Sequence, residues 1–458
     1  MAVDRQEVPG LPSATASGAR VPAVRRRAWF VLALLVCLML VNFADKVVVG
    51  LSGVGMKREL GLDSSQFGVI QSSFFWLFAV GSVLGGWLGG KVRARWLLAG
   101  IAALWVLSLV PMATQVGFTT VVACRVLLGF AEGPTVALAM QVAHSWFPAH
   151  RRSVPSSIVI AGAGAGPLIA APVLTWVIET YSWHAAFGVL AAFGAVFAVL
   201  WLLGGDSEPE SAPTRDRQEV ATAGDRHDAA PTPDRHEAAT ALPERVPLRR
   251  LFSTGTLIGM ALLFFVAYAN TSVGVSWLPL YLRDGLGYDA TTAGRLVVLP
   301  FLGAAVAVIL VGVLSSALTR RGVGNRVTRG VLPAAMVLAS GVCTVAFSSL
   351  DRGVPQMTLL VIGACLNSAG YGVAFAGLAD VAPAGQRSTV FGIVTGIYSL
   401  GGVVAPLVIG RLVDAGASAA AGYGDGFLVL GITMIIGAVA ALLLVDPDRD
   451  AARLAAAS

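Results

Sequence analysis

The sequence predicts an all-α polytopic membrane protein with twelve transmembrane helices in two six-helix halves. Three observations carry that expectation. Hydrophobic residues make up 56% of the 458-residue chain and charged residues only 13%, where a soluble domain carries about 25% charged residues. Apolar stretches of about 20 residues, long enough to cross a hydrocarbon core, recur along the whole chain. A single polar segment near the middle divides them six and six.

The stretches fall at about 28–50, 66–89, 96–116, 119–144, 154–178, 184–204, 255–282, 292–317, 328–348, 357–380, 389–413 and 426–445. Backbone in lipid must satisfy its own hydrogen bonds, so each is expected to be a helix. Residues 1–27 carry basic residues but no apolar core before Trp29, so no cleavable signal peptide is expected and the stretch reads as a tail. Residues 28–204 form the first bundle. Residues 205–250 are rich in Asp, Glu, Arg, His, Pro and Ala and carry too little apolar surface to fold alone, which predicts a disordered linker. Inside it, Asp225-Arg226-His227-Asp228 is echoed by Asp234-Arg235-His236-Glu237, a low-complexity repeat rather than a metal tract. Residues 251–445 form the second bundle and 446–458 a second tail.

Basic residues set the orientation. Arg25 to Arg27, Lys91, Arg93, Arg95, Arg151, Arg152, Arg320, Arg321, Arg326, Arg329 and Arg387 all fall in one alternate set of loops. The other loops are short, and Lys57, Arg58, Glu59 and Asp63 mix their signs. The positive-inside rule then places both termini and the linker in the cytoplasm, in a cell's inner membrane. The net charge of +6 comes largely from these loops rather than from one soluble basic module, which excludes a nucleic-acid partner. The four cysteines, Cys37, Cys124, Cys343 and Cys365, all lie in expected spans without CxxC or Cys/His spacing, so no metal is expected. No Gly-rich phosphate loop and no nucleophile–base pair appear, so neither a cofactor nor an enzyme is expected.

The halves echo one another. Gly85-Gly86-Trp87-Leu88-Gly89-Gly90-Lys91-Val92-Arg93-Ala94-Arg95 closes the second span, and Gly312 to Gly322, with Arg320 and Arg321, closes the eighth at the equivalent place. Repeated six-helix halves around a central site are the repeat logic of secondary transporters.

Charges inside spans mark the candidate site. Arg125 and Glu132 stand seven residues apart, so they share one helix face about 10 Å apart. Asp45 and Lys46 form a second pair in the first span. Such groups are costly in lipid and mark substrate, ion or proton paths.

These residues carry a resemblance to the major facilitator superfamily, and within it to the anion:cation symporter family. Asn42-Phe43-Ala44-Asp45-Lys46 is similar to that family's Asn-Tyr-x-Asp-Arg element. Gln66 to Trp76 resembles its second-helix opening. Arg125-Val-Leu-Leu-Gly-Phe-Ala-Glu132-Gly133-Pro134 and Trp146-Phe147-Pro148 through Arg151 resemble its fourth helix and following loop. The resemblance covers about residues 28–445 and implies a major facilitator fold and transport of organic anions. Four positions depart from the pattern: Lys46 stands where Arg is usual, Phe43 and Phe78 where Tyr is common, and Gly90 where the loop motif carries Asp. An ammonium cannot fork two bonds onto a carboxylate as a guanidinium can. The two phenylalanines point to a substrate with fewer hydroxyls than a sugar acid.

With the first helix running outward, Asp45 and Lys46 are expected in its outer half, roughly 26 Å from the inner end. Arg125 is expected about 9 Å from the outer edge of the fourth helix, with Glu132 near the midplane. Lys46 and Arg125 would then share one cavity and hold a carboxylate. Glu132 reads as the proton carrier, balanced between burial, which opposes ionisation, and a nearby guanidinium, which favours it. Asp45 is the second protonation candidate. Gln71, Asn367, Tyr371 and Tyr398 are candidate cavity-lining, substrate-binding residues, with Asn270 and Tyr268 as weaker ones. The expected function is proton-coupled uptake of a small organic anion by a monomer, the partners being the anion, protons and the lipid bilayer. Gly162-Ala-Gly164-Ala-Gly166-Pro167 partly resembles the glycine-proline motif of proton-coupled drug exporters and keeps proton-antiport efflux as the alternative.

Overall fold

The computed structural model of the chain describes residues 20–89, 91–147, 153–205, 246–383 and 386–456. The described residues are helical, with no strand among them. The first half holds α1 (Arg20–Leu60), α2 (Ser64–Trp76), α3 (Phe78–Gly89), α4 (Ala94–Met112), α5 (Phe118–Glu132), α6 (Thr135–Trp146), α7 (Ser153–Thr180) and α8 (Trp183–Gly204). The second holds α9 (Gly255–Ser276), α10 (Ala290–Arg320), α11 (Leu332–Ser348), α12 (Val354–Val381), α13 (Arg387–Ala415) and α14 (Ala419–Leu444), followed by α15 (Pro447–Ala456). Eleven segments among the described residues are long and apolar enough to cross a membrane, α2 with α3 and α5 with α6 each making one. The twelfth helix, α12, is 28 residues long. This is the expected twelve-helix architecture. Most of the linker, residues 206–245, lies outside the described residues.

Several helix ends differ from the sequence expectation by more than a turn, and two of them have a readable cause. α1 runs ten residues past position 50, because Lys57, Arg58 and Glu59, read as loop residues, are good helix formers and two of them put positive charge at its C-terminal end. Glu59 is held there by Trp183 Nε1 at 2.7 Å and His184 Nε2 at 2.8 Å. Gly61, at φ 63°, then turns the chain in a conformation that favours glycine. α14 begins at Ala419 rather than 426, since the Ser418 side chain accepts from the Ala421 amide at 3.2 Å and three alanines follow it.

The second and fourth spans are each broken in mid-course. Pro134 has no amide hydrogen to continue α5, which stops at Glu132; α6 restarts at Thr135. The break falls beside the candidate site.

Alternating helix directions put the start of α1, the linker ends and α15 at one face, called here the linker face. At the opposite face the two halves meet. α2 begins with a capping box between Asp63 and Gln66. Asp414, at the end of α13 in the other half, accepts from Ser64 N at 2.8 Å, Ser65 N at 2.6 Å and Ser65 Oγ at 2.5 Å. Arg283 pairs with Glu179 at 3.0 Å across the same seam. The backbones of α1 and α9 run so close that a Cβ on Gly50 would stand 2.8 Å from the Ser276 carbonyl oxygen.

Residues 446–458, expected as a tail, include α15, which packs under the second half. Its buried Asp450 accepts from Thr256 N and Thr256 Oγ1, both at 2.7 Å, at the start of α9. Burial pushes that carboxyl up, but the bonds from Arg449 and Thr256 outweigh it and hold it below the usual aspartate range.

Candidate functional site

The four charges of the first half lie together in the structure. Asp45, Arg125 and Glu132 are buried to 1%, 3% and 2% exposure, deep enough that each must answer to its neighbours rather than to water. Lys46 Nζ forms an ion pair with Glu132 Oε2. It also donates to Asn42 O and Asn42 Oδ1, each at 2.9 Å, one helical turn earlier on α1. Asp45 interacts electrostatically with Glu132, Lys46 and Arg125. Two acids and two bases give a formally neutral tetrad.

Arg125 differs from Lys46 in how it is held. Its guanidinium carbon sits 4.7 Å from the centre of the Phe74 ring, while its Nε and Nη1 are buried without a hydrogen-bond partner. The same ring lies 5.4 Å from Lys46 Nζ, and the Phe43 ring 4.6 Å from it. Cation–π attraction to a ring face orients a cation without using its N–H donors. α2 reaches α5 closely enough for this because Gly129 has no Cβ; one there would overlap the Phe74 carbonyl.

The pairing of Lys46 with Glu132 departs from the expected level of Lys46 beside Arg125. The cause is the length of α1. With the helix ending at Leu60, Lys46 lies 14 residues from its end, about 21 Å. Glu132 lies the same 14 residues, about 21 Å, from the start of α5 at Phe118, whereas Arg125 is only about 10 Å from it.

The remaining candidates are distributed. Gln71 is buried and donates to Ser276 O at 3.1 Å, so it bridges α2 and α9 between the halves. Asn367, on α12, donates to Ala267 O and Thr271 Oγ1, both at 3.1 Å. The Tyr398 ring lies 4.7 Å from that of Tyr268, tilted by 50°; Tyr268 also meets Phe75 at 5.7 Å and interacts electrostatically with Glu132. The side chain of Tyr371 lies outside the described residues. Among the described residues no cluster has metal-ligand geometry.

Sequence reasoning passed over Phe74 and Asn42 as site residues. Asn42 was findable, since it precedes Lys46 by four residues on the same face. Phe74 was not, because its role depends on how α2 packs against α5. Two glycines of α7 lie against α1: a Cβ on Gly162 would stand 3.0 Å from the Val36 carbonyl oxygen, and one on Gly166 2.6 Å from that of Leu40. Helix packing accounts for these two, whereas a Cβ on Gly164 would meet no atom within 4 Å.

The chain was compared with known proteins. The family described as Major Facilitator Superfamily matches residues 34–348. A probable galactarate/D-glucarate transporter of Bacillus subtilis is 24% identical over 430 residues, covering 92% of each chain. A probable sulfoacetate transporter of Cupriavidus necator is 26% identical over 427 residues, covering 91% of this chain and 95% of the relative. Among solved structures, a bacterial homolog of the human lysosomal transporter Spinster superposes with a TM-score of 0.71 at 17% identity, covering 93% of this chain and 98% of that one. At that identity the likeness speaks to the fold.

Proposed function

We propose, for a chain that belongs to the major facilitator superfamily and so is a multi-pass membrane transporter rather than an enzyme, that it carries a small organic anion into the cell together with protons. The observation that supports this most is Arg125. A buried guanidinium with Nε and Nη1 unbonded, resting on a ring, is a donor set suited to a carboxylate or sulfonate. The named cargoes of the two relatives, galactarate or glucarate and sulfoacetate, carry such groups.

Coupling follows from charge balance. The tetrad of Asp45, Lys46, Arg125 and Glu132 is neutral as two pairs, so each negative charge that an arriving anion brings is uncompensated in a low-dielectric site. A proton taken up by Glu132 or Asp45 cancels it. Protonated Glu132 releases Lys46, which then faces the anion beside Arg125. Loss of the proton on the far side restores the Lys46–Glu132 pair and expels the cargo. The linker face is the cytoplasmic one in this reading, and the conformer described is the one sealed to the outside by Asp414, Gln71 and the α1–α9 contact.

The test is luminal pH in proteoliposomes holding the full-length protein while galactarate, sulfoacetate and benzoate are added outside in turn. Acidification with one of them is the expected result and names the cargo class. Silence with all three, together with alkalinisation of an acid-loaded lumen by hydrophobic compounds, would replace uptake with proton-antiport efflux.

A further inference from the structure

The second half contains a cavity of about 660 Å³, counted to its open mouth, that no step above uses. It is enclosed by α9, α10, α11, α12 and α14. Its apolar walls include Phe301, Phe347, Phe427 and Leu360; its polar ones include Thr271, Asn367 and Ser368. Among the described residues, no lysine, arginine, aspartate or glutamate lines it.

Asn367 gives the cavity its chemistry. The residue is 2% exposed, and its Oδ1 is buried without a hydrogen-bond partner. The amide orientation is fixed by its neighbours. Thr271 Oγ1 donates to Ala267 O at 3.0 Å, so toward Asn367 it acts as an acceptor. Ala267 O is an acceptor as well. Only the NH₂ end of Asn367 can face both, and a flipped amide would set oxygen against oxygen. The carbonyl oxygen is therefore the atom left over, and an unmet buried acceptor calls for a donor. With aromatic walls and no charge to balance an ion, that donor belongs to an uncharged molecule.

We propose that the second half holds a binding site of its own, distinct from the charged tetrad, for a neutral ligand with a hydroxyl or N–H donor on a small aromatic or other apolar body. The donor bonds Asn367 Oδ1, and the body lies among Phe301, Phe347 and Phe427. Because α9 contacts α1 and α2 across the seam, a ligand wedged between α9 and α12 acts on the motion of the halves without competing for Arg125.

The probe is a benzyl alcohol carrying a trifluoromethyl diazirine, photolysed with the full-length protein in nanodiscs and mapped by peptide mass spectrometry. The expected adducts fall on residues 270–278 and 360–368 and are displaced by excess benzyl alcohol. A Cβ on Gly274 meets no atom within 4 Å, so Gly274→Leu projects into the cavity and should cut the saturable labelling about tenfold or more. Ala364→Leu fills the same space from α12 and gives the same reading independently. Labelling should survive Arg125→Ala, since the site needs no cation. Adducts spread over lipid-facing helices, or not displaced by benzyl alcohol, would overturn the proposal. Loss of labelling in Arg125→Ala would overturn the independence of the site while leaving the anion reading in place.

Discussion

The two halves of the molecule share a layout and divide the chemistry unequally. The first half buries Asp45, Arg125 and Glu132 and gathers the half-buried Lys46 beside them. In the second, every charged residue on α9 to α14 lies within two turns of a helix end, and α9 carries none. Its interior offers amides, hydroxyls and rings instead: Asn367, Thr271, Tyr268 and Tyr398. The difference teaches that one half can hold all the intramembrane charge if the set is self-neutralising. The partner half is then free to recognise uncharged parts of a ligand, or another ligand altogether.

The sharpest way to break this comparison is Arg125→Ala. Uptake of the anion identified by the luminal pH assay should fall by about a hundredfold, with the protein still monodisperse by size exclusion. Retained affinity would show that the charged half is not the anion-binding one. Next comes Lys46→Met, which strands the Glu132 carboxylate in the interior at a cost of about 3–5 kcal/mol. Adding Glu132→Gln should recover much of that stability in detergent melts, while the double variant stays unable to accumulate cargo against a gradient. Glu132→Gln alone should still exchange labelled for unlabelled anion. Proton-driven accumulation surviving in Glu132→Gln would remove that residue from coupling.

A structural carboxylate in the second half should behave differently. Asp450→Ala should lower thermal stability by about 1–3 kcal/mol through loss of the bonds at Thr256, with cargo affinity unchanged. Its carboxyl is held below the usual range in the folded protein. Its contribution is therefore complete at neutral pH and drains as pH falls through the depressed folded value. A wild-type minus Asp450→Ala stability difference that grows on acidification would contradict this. The smallest effect is expected at Asp414→Asn. The residue is exposed, and charge at a helix start is worth about 0.3–1 kcal/mol at low salt. A cysteine placed near Gly50 should react faster with an external thiol reagent in this variant, with the gain fading as salt is raised.

Much of this was readable from residues alone. The spans and the two halves follow from apolar run lengths, and the cost of charge in lipid singles out the four residues that the fold brings together in the first half. The Lys46–Glu132 pair was not readable, because it turned on ten residues. Lys57, Arg58 and Glu59 look like a loop by charge but continue α1, and that shifts where Lys46 falls against α5. Nor could spacing show that Gln71 bridges α2 to α9, since the bond depends on which halves meet. The cavity beside Asn367 is assembled from five helices far apart in sequence, each of whose residues looks ordinary by itself.

The broken fourth span also bears on how the protein enters the bilayer. Phe118–Trp146 is the least apolar of the eleven segments, and an ionised group near the centre of an inserting helix, where Glu132 stands, costs about 3 kcal/mol. Pro134, which has no amide hydrogen, also interrupts the bonding within that span. Such a segment is poorly suited to partition into lipid alone. It should be retained beside the insertion machinery until α1 presents Lys46 and α2 presents the face of Phe74, which makes biogenesis of the first half depend on these three helices assembling as one unit.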